Sequence, residues 1–173
     1  MSTDRQAAEA AIEIRDMEVE DIADVYRLGE ELFRGQEIAS LYRTWDAFEV
    51  TTVFNQDPEL ALVAEAPDGS MVCFSLGTTH QREKGAWKYG YVGWLAVHPD
   101  YQRQGVATSL YREMERRMKL QGVRMVLVDT AAEITRALAF LQRMGFRNPE
   151  QQVWVSKNLT RGPGRRKPRP GLR

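Results

Sequence analysis

The stretch Val97-His98-Pro99-Asp100-Tyr101-Gln102-Arg103-Gln104-Gly105-Val106-Ala107-Thr108 holds residues whose types and spacing suit one chemistry, the capture of phosphate. An apolar strand pattern ends at Val97, and a helical pattern starts near Gln104. A glycine at such a turn lets the backbone approach a ligand closely. The first N–H groups of a helix have no partner inside it, and the helix dipole adds partial positive charge there. The corner is therefore a site for phosphate. Gly105 and Ala107 are small enough to admit a pyrophosphate, and Thr108 adds a hydroxyl donor. The short Gly-x-Ala element alone also occurs at ordinary strand-turn-helix corners, and only the full string is specific.

Elements on either side must position this corner. Ile12 to Arg15 alternates apolar and polar residues, as a half-buried strand does. Ile22, Val25, Tyr26, Leu32 and Phe33 fall on one helical face, and Ile38, Leu41, Tyr42, Trp45 and Phe48 suggest a second helix. Asp57-Pro58 breaks the chain. Leu60 to Ala66, the turn Pro67-Asp68-Gly69-Ser70 and Met71 to Thr78 read as a hairpin. Gln81 to Gly85 is a polar loop, and Trp87 to Val97 a long aromatic strand. Val106, Leu110, Met114 and Met118 mark the helix after the phosphate corner. Val123 to Val128 is a nearly continuous apolar run, which predicts a strand covered on both faces. Ile134, Ala137, Leu138, Leu141 and Met144 form a last helical stripe, capped by Gly145. Gln152 to Leu159 reads as the final strand, with a short extra strand considered at Phe146. The predicted order is β-α-α-β-β-β-α-β-α-β.

The 173 residues predict a single α/β domain over residues 12–159, with an N-terminal extension over 1–11. The formal net charge is zero but unevenly spread. From Arg161 onward there are six Arg or Lys residues and no acid, which leaves an excess of six negative charges before it. The tail, 160–173, lacks the apolar residues needed to offset ordering entropy and is expected to be disordered. It carries no interleaved aromatics, so nucleic acid is expected as a partner only weakly and through this basic tail. The start lacks a signal-peptide core, and no stretch approaches the ~20 apolar residues of a membrane span. One cysteine, Cys73, excludes an internal disulfide, and zinc-type Cys/His spacing is absent. The expectation is a cytoplasmic protein with no metal and no membrane partner, either a monomer or a homodimer.

The full corner string resembles the acetyl-CoA signature of the GNAT N-acetyltransferase superfamily, whose core reads Gln/Arg-x-x-Gly-x-Gly/Ala. Leu95-Ala96-Val97-His98-Pro99 matches that family's strand ending, and the resemblance continues to Met144-Gly145-Phe146. It is close over the second half of the chain and holds by pattern over the first. It implies a mixed central sheet of about six to seven strands flanked by about four helices. It also implies a splayed strand pair, here Tyr91 to Val97 and Val123 to Thr130, with the pantetheine arm between them. The implied activity is acetyl transfer from acetyl-CoA to a primary amine by direct attack in a ternary complex. The amine could belong to a protein N-terminus, a lysine or a small compound. The implied cofactor contacts are Leu95, Ala96, Val97, Gln102, Arg103, Gln104, Gly105, Val106, Ala107 and Thr108, with the Leu95 backbone polarising the thioester carbonyl.

Two departures from the family pattern bear on chemistry. The strand positions that commonly carry an acid are Gly93 and Tyr91, and Trp87 to Val97 holds no carboxylate. The general-acid Tyr of many relatives is Leu141 here, and a cofactor-facing Asn is Ile134. Tyr91 and Tyr89, expected to share a face with Gly93 and Leu95, could order a proton-relaying water. Packing on the sheet explains them as well. Asp129 could meet an ammonium or take its proton, or simply cap a turn. Cys73 reads as a small buried hydrophobe. His98 reads as a solvated loop residue that could also see the nucleotide phosphates, and His80 closes the third strand, where it could reach the acceptor entrance. The resemblance implies an acceptor side built by the first two helices and their connection, a region that holds Glu30, Glu31, Phe33, Arg34, Glu37 and Trp45; acids and aromatics suit a cationic amine, and a charged exposed helix face explains the same acids. A non-catalytic acyl-CoA sensor is the alternative raised by Leu141.

Overall fold

The computed structural model describes residues 12–33, 45–81, 87–132 and 134–150. Five strands form one sheet in sequential order: β1 (Glu13–Asp16), β2 (Ala61–Glu65), β3 (Met71–Gln81), β4 (Lys88–Val97) and β5 (Val123–Val128). The first three pairings are antiparallel and β4–β5 is parallel, so the sheet is mixed. The helices are α1 (Ile22–Phe33), α2 (Ala47–Gln56), α3 (Val106–Leu120) and α4 (Thr135–Arg143).

Each sheet face has its own core. Leu60, Leu62, Ala64, Val72, Cys73 and Val92 pack beneath Leu110, Met114 and Met118 of α3. Ala61, Val63, Phe74, Leu76, Trp94 and Ala96 pack beneath Val25 and Leu28 of α1 and Val50 and Val53 of α2. Strand alternation sends neighbouring residues to opposite faces, which is why β2 divides cleanly between the two cores. Cys73 is fully buried, and burial pushes its thiol pKa up, as expected of an inert core cysteine.

Several expectations need correction. The described sheet has five strands rather than six to seven. Residues 152–159, expected as a strand, lie outside the described residues, as do 1–11 and 160–173. Phe146 forms no strand, because its N–H is bonded to the Leu141 carbonyl (3.0 Å) while Gly145 bonds to Gln142 (3.1 Å). Those two bonds close α4 with a left-handed Gly145 (φ 95°). The second helix begins at Ala47, after Trp45. Asp46 caps it by accepting the Glu49 N–H (2.7 Å), and Val50 and Val53 are its buried stripe. The expected helical residues Ile38, Leu41 and Tyr42 lie outside the described residues.

Two further corrections concern the sheet near the site. Trp94 pairs with Leu76 and Val92 with Gly77, which leaves Gly93 as an extra residue on β4, a β-bulge. The bulge reverses the alternation. Val92 faces α3, whereas Trp94 and Ala96 face α1 and α2. Tyr91 therefore shares its face with Trp94, and not with Leu95 as simple alternation predicted. The second concerns β5, which is covered on one face only. Val126 and Val128 pack toward α3, while Met125 and Leu127 are 43% and 48% exposed.

Candidate active site

β4 and β5 run in register from Tyr89 opposite Met125 to Val92 opposite Val128, and there the pairing ends. β5 stops at Val128, while β4 continues to Val97 paired with β3, Leu95 opposite Ser75 and Val97 opposite Cys73. The two strands therefore part beyond Val92, and the β4 segment from Gly93 to Val97 borders the gap. This is the expected position of Leu95, Ala96 and Val97.

The phosphate corner follows at the end of β4. Pro99–Tyr101 makes a 3-10 turn, entered through His98, whose Nδ1 accepts the Asp100 N–H (3.3 Å). Gln102 donates from Nε2 to the Val97 carbonyl (3.3 Å), and Gln104 from Nε2 to the Asp100 carbonyl (2.7 Å). Both glutamines brace the loop from within. Arg103 (φ 63°) and Gly105 (φ 89°) adopt left-handed conformations that wind the chain into α3. Such a conformation costs an L-residue roughly 1–2 kcal/mol, which is why glycine stands at 105. Helical bonding starts with the Ser109 N–H donating to the Gly105 carbonyl (3.0 Å). The N–H groups of Gly105, Val106, Ala107 and Thr108 thus precede the first intrahelical bond and form the anion-binding end of the dipole. Gly105 is exposed, and Ala107 and Thr108 are half-buried. What this corner offers an anion is backbone amides rather than charged side chains.

Tyr91 and Asp129 meet where the strands part. Tyr91 immediately precedes the last paired position of β4, and Asp129 follows the last of β5. The Tyr91 hydroxyl donates a hydrogen bond to Asp129 Oδ1. Two candidates named separately from sequence thus form one unit. The cross-strand neighbours of Tyr91 and Tyr89 on β3 are Thr78 and His80, so all four share a face. The Thr78 hydroxyl lies 3.2 Å from His80 Nε2.

The acceptor residues expected on α1 separate. Phe33 joins an aromatic cluster, its ring centroid 4.9 Å from Trp94, 5.3 Å from Trp45 and 6.5 Å from Phe74. Glu30 is half-buried and Glu31 is exposed; Arg34 and Glu37 lie outside the described residues. A carboxylate that the sequence reading passed over is Glu49, which accepts the Trp94 Nε1–H (3.0 Å). Asp46-x-x-Glu49 reads locally as a helix cap, with the Glu turned back to the chain. The fold instead aims it across to β4. Nothing in the local pattern marks that contact. Leu141 and Ile134 are half-buried, Ile134 opening α4 and Leu141 near its end.

The frame of the site is a mixed α/β sheet whose one parallel pair among the described strands ends beside the start of α3. The chain belongs to the acetyltransferase (GNAT) family, whose model matches residues 22–146. Among curated relatives, N-alpha-acetyltransferase 30 of Schizosaccharomyces pombe is 30% identical over 95 residues, spanning 53% of this chain and 60% of that protein. An acetyltransferase of Sodalis glossinidius is 25% identical over 132 residues, spanning 75% of this chain and 88% of that protein. Among solved structures, the NatC complex bound to Gag peptide and CoA superposes with a TM-score of 0.68 at 20% identity, covering 81% of this chain and 87% of that one. AAC(6')-Iy with a CoA bisubstrate analogue gives 0.67 at 19% identity, covering 85% and 98%. Among the described residues, no helix is long and apolar enough to cross a membrane.

Proposed function

We propose that this protein transfers an acetyl group from acetyl-CoA to a primary amine, with the Tyr91–Asp129 pair managing the amine's proton. The observation that carries the proposal is the hydrogen bond between them at the fork of β4 and β5. In this reading the pyrophosphate lies on the N–H groups of Gly105 to Thr108, and the β4 segment from Leu95 to Val97 faces the pantetheine arm. The Leu95 amide polarises the thioester carbonyl as it gains charge.

The reaction needs a neutral amine close to the carbonyl carbon. With its own O–H given to Asp129, the Tyr91 oxygen is oriented to accept a hydrogen bond from the incoming N–H. The new C–N bond forms as the C–S bond breaks. The amine's proton passes by way of Tyr91 to Asp129 and then to solvent, and the CoA thiolate takes a proton from water. This arrangement supplies a base although β4 holds no carboxylate of its own, and it needs no tyrosine at Leu141.

The test is release of free CoA thiol with a panel of N-terminal peptides, lysine-containing peptides and small amines. Acetyl-CoA binding without release across the whole panel would replace the enzyme by the acyl-CoA sensor.

A further inference from the structure

We propose that Met125 and Leu127 of β5, with Tyr89 and Tyr91 of β4, form the surface that selects the acceptor, and that the acceptor is a peptide α-amine followed by uncharged, apolar side chains. The inference rests on the acetyl-transfer reading above, since the Tyr91–Asp129 pair marks where the amine sits.

Register and exposure define the surface. Tyr89 lies opposite Met125 and Tyr91 opposite Leu127, so these four side chains share one face. It is the face covered by α1 and α2 nearer Trp94, yet none of the four belongs to that buried cluster. Met125 and Leu127 are 43% and 48% exposed, although they stand mid-strand in an apolar run. Exposed apolar residues in a contiguous row beside a polar reacting pair are an economical signature of a binding surface.

Length and charge select the occupant. Leu127 lies two residues before Asp129 and Met125 four, about 7 and about 13 Å along an extended strand. Side chains on one face of an extended peptide repeat at the same ~7 Å interval. A row of that length fits several peptide residues and exceeds a single small amine. Its charges are polar along the row. Asp129 stands at the amine end, where it suits an ammonium in the encounter complex. At the far end Arg124 sits over the Trp87 ring, 5.9 Å from its centroid, and Trp87 stacks with Tyr89 at 6.4 Å. A polyamine or aminoglycoside laid along this row would bring its further ammonium groups onto Leu127, Met125 and the Arg124 cation. A peptide with one terminal charge and apolar side chains meets neither obstacle.

The experiment compares the pentapeptides Ala-Leu-Ala-Leu-Gly, Ala-Lys-Ala-Lys-Gly and Ala-Glu-Ala-Glu-Gly with spermidine and an aminoglycoside, by CoA release. Binding of the same peptides to CoA-saturated protein is followed in parallel by fluorescence anisotropy. The leucine peptide should have at least tenfold higher kcat/KM than the lysine and glutamate peptides. Leu127→Ser and Met125→Ser should each raise its KM on the order of tenfold while leaving kcat little changed. Val19→Ser, on an exposed apolar residue elsewhere, should change neither. Equal rates on the three peptides, or preference for the polycations, would overturn the apolar acceptor while leaving acetyl transfer intact. Apolar-selective binding without CoA release would instead remove the acetyl-transfer reading and retain the surface. Absence of both binding and release would end both.

Discussion

The Tyr91 hydroxyl is bonded to Asp129 across 38 residues of chain, at the position where β4 and β5 cease to pair. In the proposed reaction this relationship makes an aromatic strand residue and a strand-end acid a proton path. Tyr91→Phe removes the hydroxyl, and Asp129→Asn removes the base. Each should lower kcat by roughly 10²–10⁴, the usual scale of general acid–base catalysis, with little change in acetyl-CoA affinity. The double variant should be no slower than the worse single one, because the two act as a unit. Additive losses in stopped-flow or steady-state assays would show that they act independently.

At Gly105, geometry and chemistry make separable demands. Gly105→Asp places a negative charge where phosphate approaches and a side chain on a left-handed residue. Gly105→Asn shares the size but is neutral and tolerates that conformation. Both should fold. The wild type should gain roughly 2.7 kcal/mol of stability at a hundredfold excess of acetyl-CoA over Kd. The Asp variant should lose most of that gain, and the Asn variant should retain more of it. Identical calorimetric titrations for all three proteins would move the phosphate site elsewhere.

Leu141 offers a test of how the thiolate is protonated. If water serves, the wild type should acetylate an amine without a hydroxyl at 141, its rate rising with pH as the acceptor loses its proton. Leu141→Tyr adds bulk to a half-buried helix position and should cost ~1–3 kcal/mol of stability where packing is tight. A wild type inert on every amine, beside an active Leu141→Tyr variant, would sink the enzyme reading.

Acid stability should depend on two carboxylates held ionised. Hydrogen bonds from Arg116 and then Arg117 bring the Glu113 pKa down to about 2. A hydrogen bond from Arg15 lowers that of Asp21. A carboxylate whose folded pKa lies below its unfolded value stabilises the fold above the unfolded value and loses that contribution as pH falls through the folded one. With unfolded values of ~4.3 and ~3.9, melting temperature should hold to about pH 5 and fall between about pH 4.5 and 2. Glu113→Gln should flatten this fall in a calorimetric series. An unchanged slope would assign the acid sensitivity to other groups.

Ser75, opposite Leu95, is 1% exposed, and its Oγ has no hydrogen-bond partner among the described residues. A buried unmet hydroxyl costs about 1–3 kcal/mol. Ser75→Ala should therefore hold or raise the unfolding free energy in urea, by up to about 1 kcal/mol, at unchanged m-value. A clear loss of stability would reveal that the hydroxyl has a partner.

The turn from Val97 into the helix at Val106 was legible in the sequence because its determinants are local. Glycine conformation, a helix start and small flanking residues act within a few positions, and no distant residue needs to be known. The hairpin at Pro67-Asp68-Gly69-Ser70, the strand ending at Val97 and the helix from Ile22 to Phe33 were likewise set by short-range pattern. Tertiary structure decided what depends on pairing. The Gly93 bulge exists only because β3 and β4 pair on both sides of it, and it alone places Tyr91 opposite to the face that alternation predicts. Whether a run such as Val123 to Val128 is buried on both faces depends on which elements come to rest on the sheet. The meeting of Tyr91 with Asp129, and of Trp94 with Glu49, required folding, because no local rule sets the distance between groups brought together from separate elements.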